Sequence, residues 1–251
     1  MAGRDTNVGA KRARQTREAL GLDPAAPLEC VLTLVESDLA LPVVIAGLPH
    51  GVAGCCWRDG DRVVLWVNGT HAPVRQRFTL AHELGHVRCR HDGAMPVETF
   101  VTLGGRTTDS REVQANAFAA ELLAPATAVT AIVDGADPGL DDVVQIAATF
   151  GISTIAALYR LNSLGLARDY EELAAAIDEG EHDAVWERLG VQSSADAIAS
   201  IESSHLPWLS SSLRGSALAA VAAGLASTVS AAEATGCGPT AMASGAASVG
   251  I

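Results

Sequence analysis

Lysine is almost absent from this sequence. Lys11 is the one lysine among 17 basic residues, and 29 acidic residues leave a formal net charge of −12 at pH 7. Proteins that bind nucleic acid use clustered Lys and Arg to displace the counterions of the phosphate backbone. The charge balance therefore argues against a surface that binds nucleic acid directly.

Cysteine pairs of the C-x-x-C kind are also missing. The five cysteines are odd in number and scattered along the chain: Cys30, Cys55, Cys56, Cys89 and Cys237. A disulfide framework or a thiolate zinc site needs more closely organised cysteines. The pattern therefore predicts reduced thiols.

Long apolar segments are the third absence. The basic residues near the amino terminus are not followed by the apolar h-region and small-residue cleavage site of a signal peptide, so the sequence predicts no secretory signal. The longest run of small residues, 217–233, is mostly Ala with Ser and Thr, and alanine barely favours a bilayer. We therefore expect a cytoplasmic protein with no membrane partner.

Helical and strand-like patterns alternate in the amino-terminal half of the chain. KRARQTREALGL, from residue 11, has helical spacing, and LPVVIAG is typical of a short strand. Two β-rich runs, 55–57 and 62–68, flank a turn at Asp59-Gly60 and predict a hairpin. Together with a helix expected over 110–123, they predict an α+β fold in which a small sheet packs on helices.

The carboxy-terminal half is predicted to be helical and then low in complexity. Residues 126–190 have apolar side chains at helical spacing, and FGIS within them resembles the turn of a helix-turn-helix. The helix after that turn offers Arg160 as its single cation, which favours a packing unit over a DNA reader. From residue 191 the chain is rich in Ala, Ser and Gly, and we expect one Ala-rich helix over 217–233 and a partly disordered tail.

Residues 77–92, RFTLAHELGHVRCRHD, hold the densest group of reactive side chains. His82 and His86 lie four residues apart in a helical stretch, so both imidazoles project from one face and can share a zinc ion. Glu83 points elsewhere, and its carboxylate can take a proton from a water that attacks a peptide carbonyl. The H-E-x-x-H motif therefore predicts a zinc-dependent hydrolase.

A catalytic zinc needs a third protein ligand. Glu112 is the favoured residue, because the apolar face of its predicted helix suits packing against the H-E-x-x-H helix. Asn116 lies one turn further on the same face, and we expect it to hydrogen-bond one of the metal ligands.

Other third ligands stay open. Asp92 is the sixth residue after His86, but a helix that continues through Cys89 would carry it away from the metal. His91 falls on a different face of such a helix, and we expect an exposed polar residue at that position. The remaining candidates are two further glutamates, Glu98 and Glu121.

The paired motifs resemble the ImmA/IrrE family of metallopeptidases. RQRFTLAHELGH, preceded by VNG and followed by EVQANAFAAELLAP, carries the resemblance, which extends over about residues 11–168. It implies a gluzincin-like site with one catalytic zinc. The implied ligands are His82, His86 and Glu112. The implied catalytic acid/base is Glu83.

The resemblance also implies a domain organisation and a partner. Members of the family include intracellular proteases that cleave helix-turn-helix repressors and so relieve transcriptional repression. We accordingly expect a zincin-like metallopeptidase domain over 1–125, a helical unit over 126–190 and an appended region over 191–251. A zinc-containing regulatory protein that binds a repressor without cleaving it stays open as the alternative.

The chain departs from the family just after the second histidine. Family members often carry apolar residues and a His there, where this chain has Val87-Arg88-Cys89-Arg90-His91. The departure leaves the core chemistry intact and the choice of substrate open.

Two expectations concern the substrate. RVVLWVN is the best strand to pair with an extended peptide beside the metal helix, which would leave specificity to docking elsewhere. A cation or His just before that helix, from His71, Arg75 or Arg77, could stabilise an oxyanion, although solvated arginines or surface ion pairs are favoured for the last two.

Overall fold

A computed structural model describes residues 2–91, 97–99, 107–133, 137–191, 208–227 and 230. The predicted α+β fold class is confirmed, since a small sheet is combined with many helices. The helices are α1 (Ala2–Ala19), α2 (Val31–Thr33), α3 (Pro73–Arg88), α4 (Ser110–Leu123), α5 (Ala126–Val133), α6 (Leu140–Phe150), α7 (Thr154–Ser163), α8 (Tyr170–Asp178), α9 (Glu181–Leu189) and α10 (Ser211–Ala222). A π-helical turn, Leu34–Asp38, follows α2.

The strands form one mixed sheet. They are β1 (Val43–Ala46), β2 (Val52–Asp59), β3 (Arg62–Asn68), β4 (Val97–Thr99) and β5 (Trp208–Leu209), in the spatial order β4-β2-β3-β1-β5. β3 pairs in parallel with β1 and antiparallel with β2. The expectation that RVVLWVN pairs with a substrate is therefore wrong, because this strand is β3 and both of its edges already pair with neighbouring strands.

The hairpin and the helix over 110–123 have the predicted positions. β2 and β3 meet at the Asp59-Gly60 turn, where Gly60 has a φ of 59°. Asp109 caps α4 by accepting a 2.8 Å hydrogen bond from the Arg111 amide. The prediction for the first helix is wrong at its start, because α1 begins at Ala2 rather than near residue 11.

The described residues between 126 and 190 form α5 to α9, as their spacing predicted, although nothing tests the domain boundaries, which stay a prediction. The FGIS turn lies between α6 and α7, with Gly151 in the left-handed region and Ser153 capping α7. α10 spans Ser211–Ala222, so it covers 217–222 of the helix expected over 217–233 and starts earlier, while residues 228–229 and 231–233 lie outside the described residues. The predicted tail lies outside the described residues.

Among the described helices, no single one is long and apolar enough to cross a membrane. Two bent pairs reach that length and composition only together, α4 with α5 and α6 with α7.

Two glycines let α4 pack closely on both of its neighbours. A Cβ at Gly9 in α1 would lie 2.0 Å from the backbone oxygen of Gln114 in α4. A Cβ at Gly85 in α3 would lie 3.0 Å from the Ala115 Cα, also in α4. Because the Gly9 contact involves backbone atoms that cannot swing aside, glycine is required there for the observed spacing of α1 and α4, whereas a methyl group at Gly85 would need α4 to move by a few tenths of an ångström.

We expect Gly9→Ala to lower the free energy of unfolding by about 1–3 kcal/mol, since α1 must move away from α4 to relieve the overlap. Urea denaturation followed by circular dichroism measures the change. Gly3→Ala is the matched control, because the same methyl group at Gly3 meets nothing within 4 Å. Equal stability of the two variants would contradict the packing of α1 on α4 described above.

Candidate metal centre

Three buried side chains from α3 and α4 converge. His82 and His86, on adjacent turns of α3, direct their Nε2 atoms to within 3.0 Å of each other. Glu112, in the first turn of α4, lies 3.3 Å through Oε2 from the Nε2 of His82 and 3.5 Å through Oε1 from that of His86. The structure therefore brings together the three residues whose types suit a metal ion.

The closest approaches between the three candidate ligand residues, with Glu112 measured through a different oxygen to each histidine, fit a tetrahedral metal. Zinc bonds of about 2.0–2.1 Å to nitrogen and oxygen put neighbouring tetrahedral ligands about 3.3 Å apart. The separations above lie on either side of that value. In addition, the Nδ1 of His82 lies 2.9 Å from Asn116 Oδ1, an acceptor, so a His82 that binds a metal through Nε2 can donate its Nδ1 proton to Asn116.

The expected hydrogen bond between Asn116 and one of the candidate ligands is thereby confirmed, with Asn116 Oδ1 accepting from His82. Asn116 lies one helical turn beyond Glu112, so a single face of α4 supplies both a ligand atom and the acceptor that orients His82. Such a contact holds the ring in the orientation that metal binding requires.

Opposing effects act on the Glu112 carboxyl. Burial alone would raise the pKa of Glu112, but its contacts with His82 and His86 outweigh burial, so the pKa lies below its usual value. Glu112 is therefore a carboxylate at neutral pH. A carboxylate buried beside two imidazoles favours a positive charge at this position, either a ring proton or a metal ion.

Glu83 is fully buried between α3 and the sheet. A Cβ at Gly54 in β2 would lie 2.9 Å from Glu83 Oε1 and 2.6 Å from the backbone oxygen of Trp66. Gly54 therefore leaves the space that the Glu83 carboxylate occupies. The role of Gly54 is not among the predictions from the sequence, although a glycine inside a strand pattern is a recognised sign of such a close approach.

The expectation for His91 is wrong. His91 is half-buried, and its Nδ1 lies 2.9 Å from the Nδ1 of His86. The helix does not continue through Cys89, because Arg90 has a φ of 58° and the amides of Arg90 and His91 bond to the carbonyls of Val87 and His86. This left-handed turn, unusual for a residue other than glycine, directs His91 back to the metal site.

Burial also lowers the pKa of His91, against the effect of its hydrogen bond with Gln114. His91 is therefore neutral at pH 7 and can accept a proton at one ring nitrogen while donating from the other.

The three basic residues around the start of the metal helix, His71, Arg75 and Arg77, differ in placement. Arg77 is 1% exposed and donates to the backbone oxygens of Leu28 and Glu29. The expectation of a solvated or surface-paired Arg77 is therefore wrong, and this side chain is committed to the core rather than to an oxyanion. His71 and Arg75 are partly buried, and burial together with the nearby Arg75 lowers the pKa of His71. An oxyanion role for these two stays a prediction.

Of the remaining carboxylates considered as a third ligand, Glu121 alone has a described side chain, and it lies away from the site. Glu121 pairs with Arg14 and with the buried Arg160 instead. Asp92 and the Glu98 side chain lie outside the described residues. Glu112 therefore stands alone as a third ligand among the described side chains.

The cysteines of the described residues are thiols rather than disulfides: Cys30, Cys55, Cys56 and Cys89. Burial raises the pKa of Cys56 to about 12 and that of Cys89 to about 11, so both thiols keep their protons at neutral pH. Neither provides the thiolate that a metal would bind. Cys237 lies outside the described residues.

Comparison with known proteins gives two matches. Residues 47–162, which carry both α3 and α4, match the peptidase family described as the IrrE N-terminal-like domain. The radiation response metalloprotease IrrE of Deinococcus radiodurans is 31% identical over 110 residues, covering 42% of this chain and 34% of that relative. The match thus spans about a third of the relative's length.

We expect Glu112→Gln to weaken zinc binding by more than about a hundredfold, because it removes the one negative charge of the ligand set. Asn116→Ala should weaken it by about ten- to a hundredfold, since it removes only the acceptor that orients His82. Competition with a chromophoric chelator measures both constants. Glu18→Gln, an exposed change of the same kind in α1, is the control. Unchanged affinity in Glu112→Gln would exclude this residue as a ligand.

Proposed function

We propose, from the membership of residues 47–162 in the ImmA/IrrE family, that the chain is a zinc-dependent endopeptidase. That membership bears out the resemblance drawn from the paired motifs. The proposed substrate is a helix-turn-helix repressor, and its cleavage would relieve transcriptional repression. We place this activity in the cytoplasm, where a DNA-bound repressor is found.

The observation that carries the proposal is the convergence of His82, His86 and Glu112, with ligand atoms 3.0–3.5 Å apart. Two imidazoles and one carboxylate form a donor set that suits zinc, whereas magnesium prefers oxygen ligands alone. When bound, zinc would supply the Lewis acidity that polarises a peptide carbonyl and lowers the pKa of water.

Glu83 is the proposed general base and acid. It follows His82 directly, so the backbone of α3 holds it next to the ligand set, and Gly54 leaves room for its carboxylate. The proposed role is to take a proton from the attacking water and to deliver it to the leaving amine. Its burial keeps bulk water from competing for that proton.

A basic protein is the partner that the surface charge favours. α8, α9 and their connection form an acidic segment, 170–189, whose one arginine, Arg188, already pairs with Asp141. The exposed acids of this segment are Glu171, Glu172, Asp178, Glu179, Glu181, Asp183 and Glu187. Proteins that bind DNA carry the opposite charge on their recognition surface, so this segment suits a repressor.

Direct binding of DNA is disfavoured by the position of Arg160. This arginine, the single cation of α7, is 7% exposed and pairs with Glu121 and the Ala124 carbonyl. It therefore cannot contact a base or a phosphate from the helix that follows the turn.

Incubation of the zinc-loaded protein with the repressor encoded beside its gene should yield two fragments by mass spectrometry. In Glu83→Gln we expect zinc to be retained and the cleavage rate to fall by about 10²–10⁴-fold, because the amide cannot take a proton from water. Removal of zinc by a chelator should abolish cleavage, and adding zinc back should restore it.

The controls separate cleavage from binding. Glu18→Gln, far from the metal ligands in sequence and exposed, should cut at the wild-type rate. If the wild-type protein and Glu83→Gln both bind the repressor and neither yields fragments, the endopeptidase proposal fails and a non-cleaving repressor-binding protein takes its place.

Neutralising four charges of the acidic segment, in Glu171→Gln, Glu172→Gln, Asp178→Asn and Glu179→Gln together, should raise KM for the repressor about fivefold or more at low salt. kcat should not change, because none of these residues belongs to the metal site. The difference from wild type should shrink as salt screens the charges. The double variant Glu18→Gln and Asp38→Asn tests whether removing negative charge elsewhere on the surface also raises KM. Such an increase in KM would contradict docking on this segment.

A further inference from the structure

A chain of hydrogen bonds leads from His86 to the amino-terminal helix. The Nδ1 atoms of His86 and His91 are 2.9 Å apart, and the Nε2 of His91 lies 3.2 Å from Gln114 Oε1. Gln114 Nε2 in turn donates to Asp5 Oδ1 at 2.9 Å, and Ser110 Oγ donates to Asp5 Oδ2 at 2.8 Å. The chain therefore joins α3, its carboxy-terminal turn, α4 and α1.

The carboxylate at the end of the chain decides the direction of every bond in it. Hydrogen bonds from Ser110 and Gln114 hold the pKa of Asp5 below its usual value, so Asp5 is ionised and can only accept. Gln114 must then present its NH₂ group to Asp5 and its carbonyl oxygen to His91. His91 therefore carries its proton on Nε2 and offers the lone pair of Nδ1 to His86.

That lone pair has a direct consequence for His86. A neutral imidazole has one ring proton, and the acceptor at His91 Nδ1 favours its position on the Nδ1 of His86. When the Nε2 of His86 binds a metal, its lone pair faces the site shared with His82 and Glu112, and its one ring proton lies on Nδ1. This is the tautomer that a metal ligand of this geometry needs.

We infer that Asp5, Gln114 and His91 form a positioning relay that fixes the tautomer and ring orientation of His86, an inference that rests on the metal-binding role proposed for that histidine. Asp5 lies outside residues 47–162, so the relay makes α1 a part of the metal site. The hydrogen bond between His82 and Asn116 orients His82 in the same way, but it involves α4 alone.

The relay is tested on the zinc-loaded protein by ¹⁵N NMR of the histidine side chains, which distinguishes protonated from unprotonated ring nitrogens. Wild type should show His91 protonated at Nε2 and unprotonated at Nδ1, where it accepts the Nδ1 proton of His86. His91→Phe removes this acceptor, so zinc affinity should fall about ten- to a hundredfold. A wild-type His91 protonated at Nδ1 would overturn the relay.

Two further variants keep the test decisive if His91→Phe does not fold. His91→Asn keeps an acceptor at the position of Nδ1, so it should retain the His86 tautomer and bind zinc within about threefold of wild type. Asp5→Ala should lower zinc affinity at least about threefold and broaden the His91 signals. Glu18→Ala removes the same charge from α1 without touching the relay and should change neither. If Asp5→Ala and Glu18→Ala behave alike, α1 plays no part in the site.

These outcomes are independent of proteolysis. If zinc binds with the predicted tautomers and no repressor is cut, the proposed enzyme function fails and the relay stands. If cleavage occurs in a protein whose zinc affinity does not depend on His91, the relay fails and the enzyme stands.

Discussion

The close contact of α4 with two neighbouring helices is the constraint on which the site depends. Gly9 and Gly85 face backbone atoms of α4, and each occupies a position where a methyl group would overlap its neighbour. The contact at Gly85 brings Glu112 within 3.5 Å of both histidines of α3. Helices separated by ordinary side chains would leave the carboxylate too far away to share one ion with them.

The same contact supplies the surroundings of the ligands. Glu112 and Asn116 lie about 40° apart around α4 and face α3 together, whereas Gln114 is turned by about 200° from Glu112 and reaches Asp5 of α1. One helix therefore provides a ligand and the orienting groups for both histidines. A displacement of α4 would disturb all of these contacts at once, which makes the metal site sensitive to packing far from the metal.

The sequence predicts those parts of the site that follow from helix periodicity. The spacing of His82 and His86 predicts neighbouring imidazoles, and the spacing of Glu112 and Asn116 predicts a shared face. The prediction of an exposed His91 is wrong because Arg90 adopts a left-handed backbone conformation and ends the helix. Nothing in the sequence distinguishes that arginine from a helical one. Gly54 and Asp5 depend on contacts between distant segments, and the interior position of β3 depends on a pairing with β1 that local patterns do not specify.

The use of arginine inside the protein explains the charge left on its surface. Arg17 is 3% exposed and donates to the backbone oxygens of Leu122 and Asp23. Arg77 and Arg160 are likewise buried against carbonyl oxygens. Arginine suits this role because its five donors can satisfy several carbonyls while it stays charged. Each guanidinium committed to the core is withdrawn from the surface, so the exposed acids of 170–189 outnumber the cations near them and favour a basic protein partner over nucleic acid.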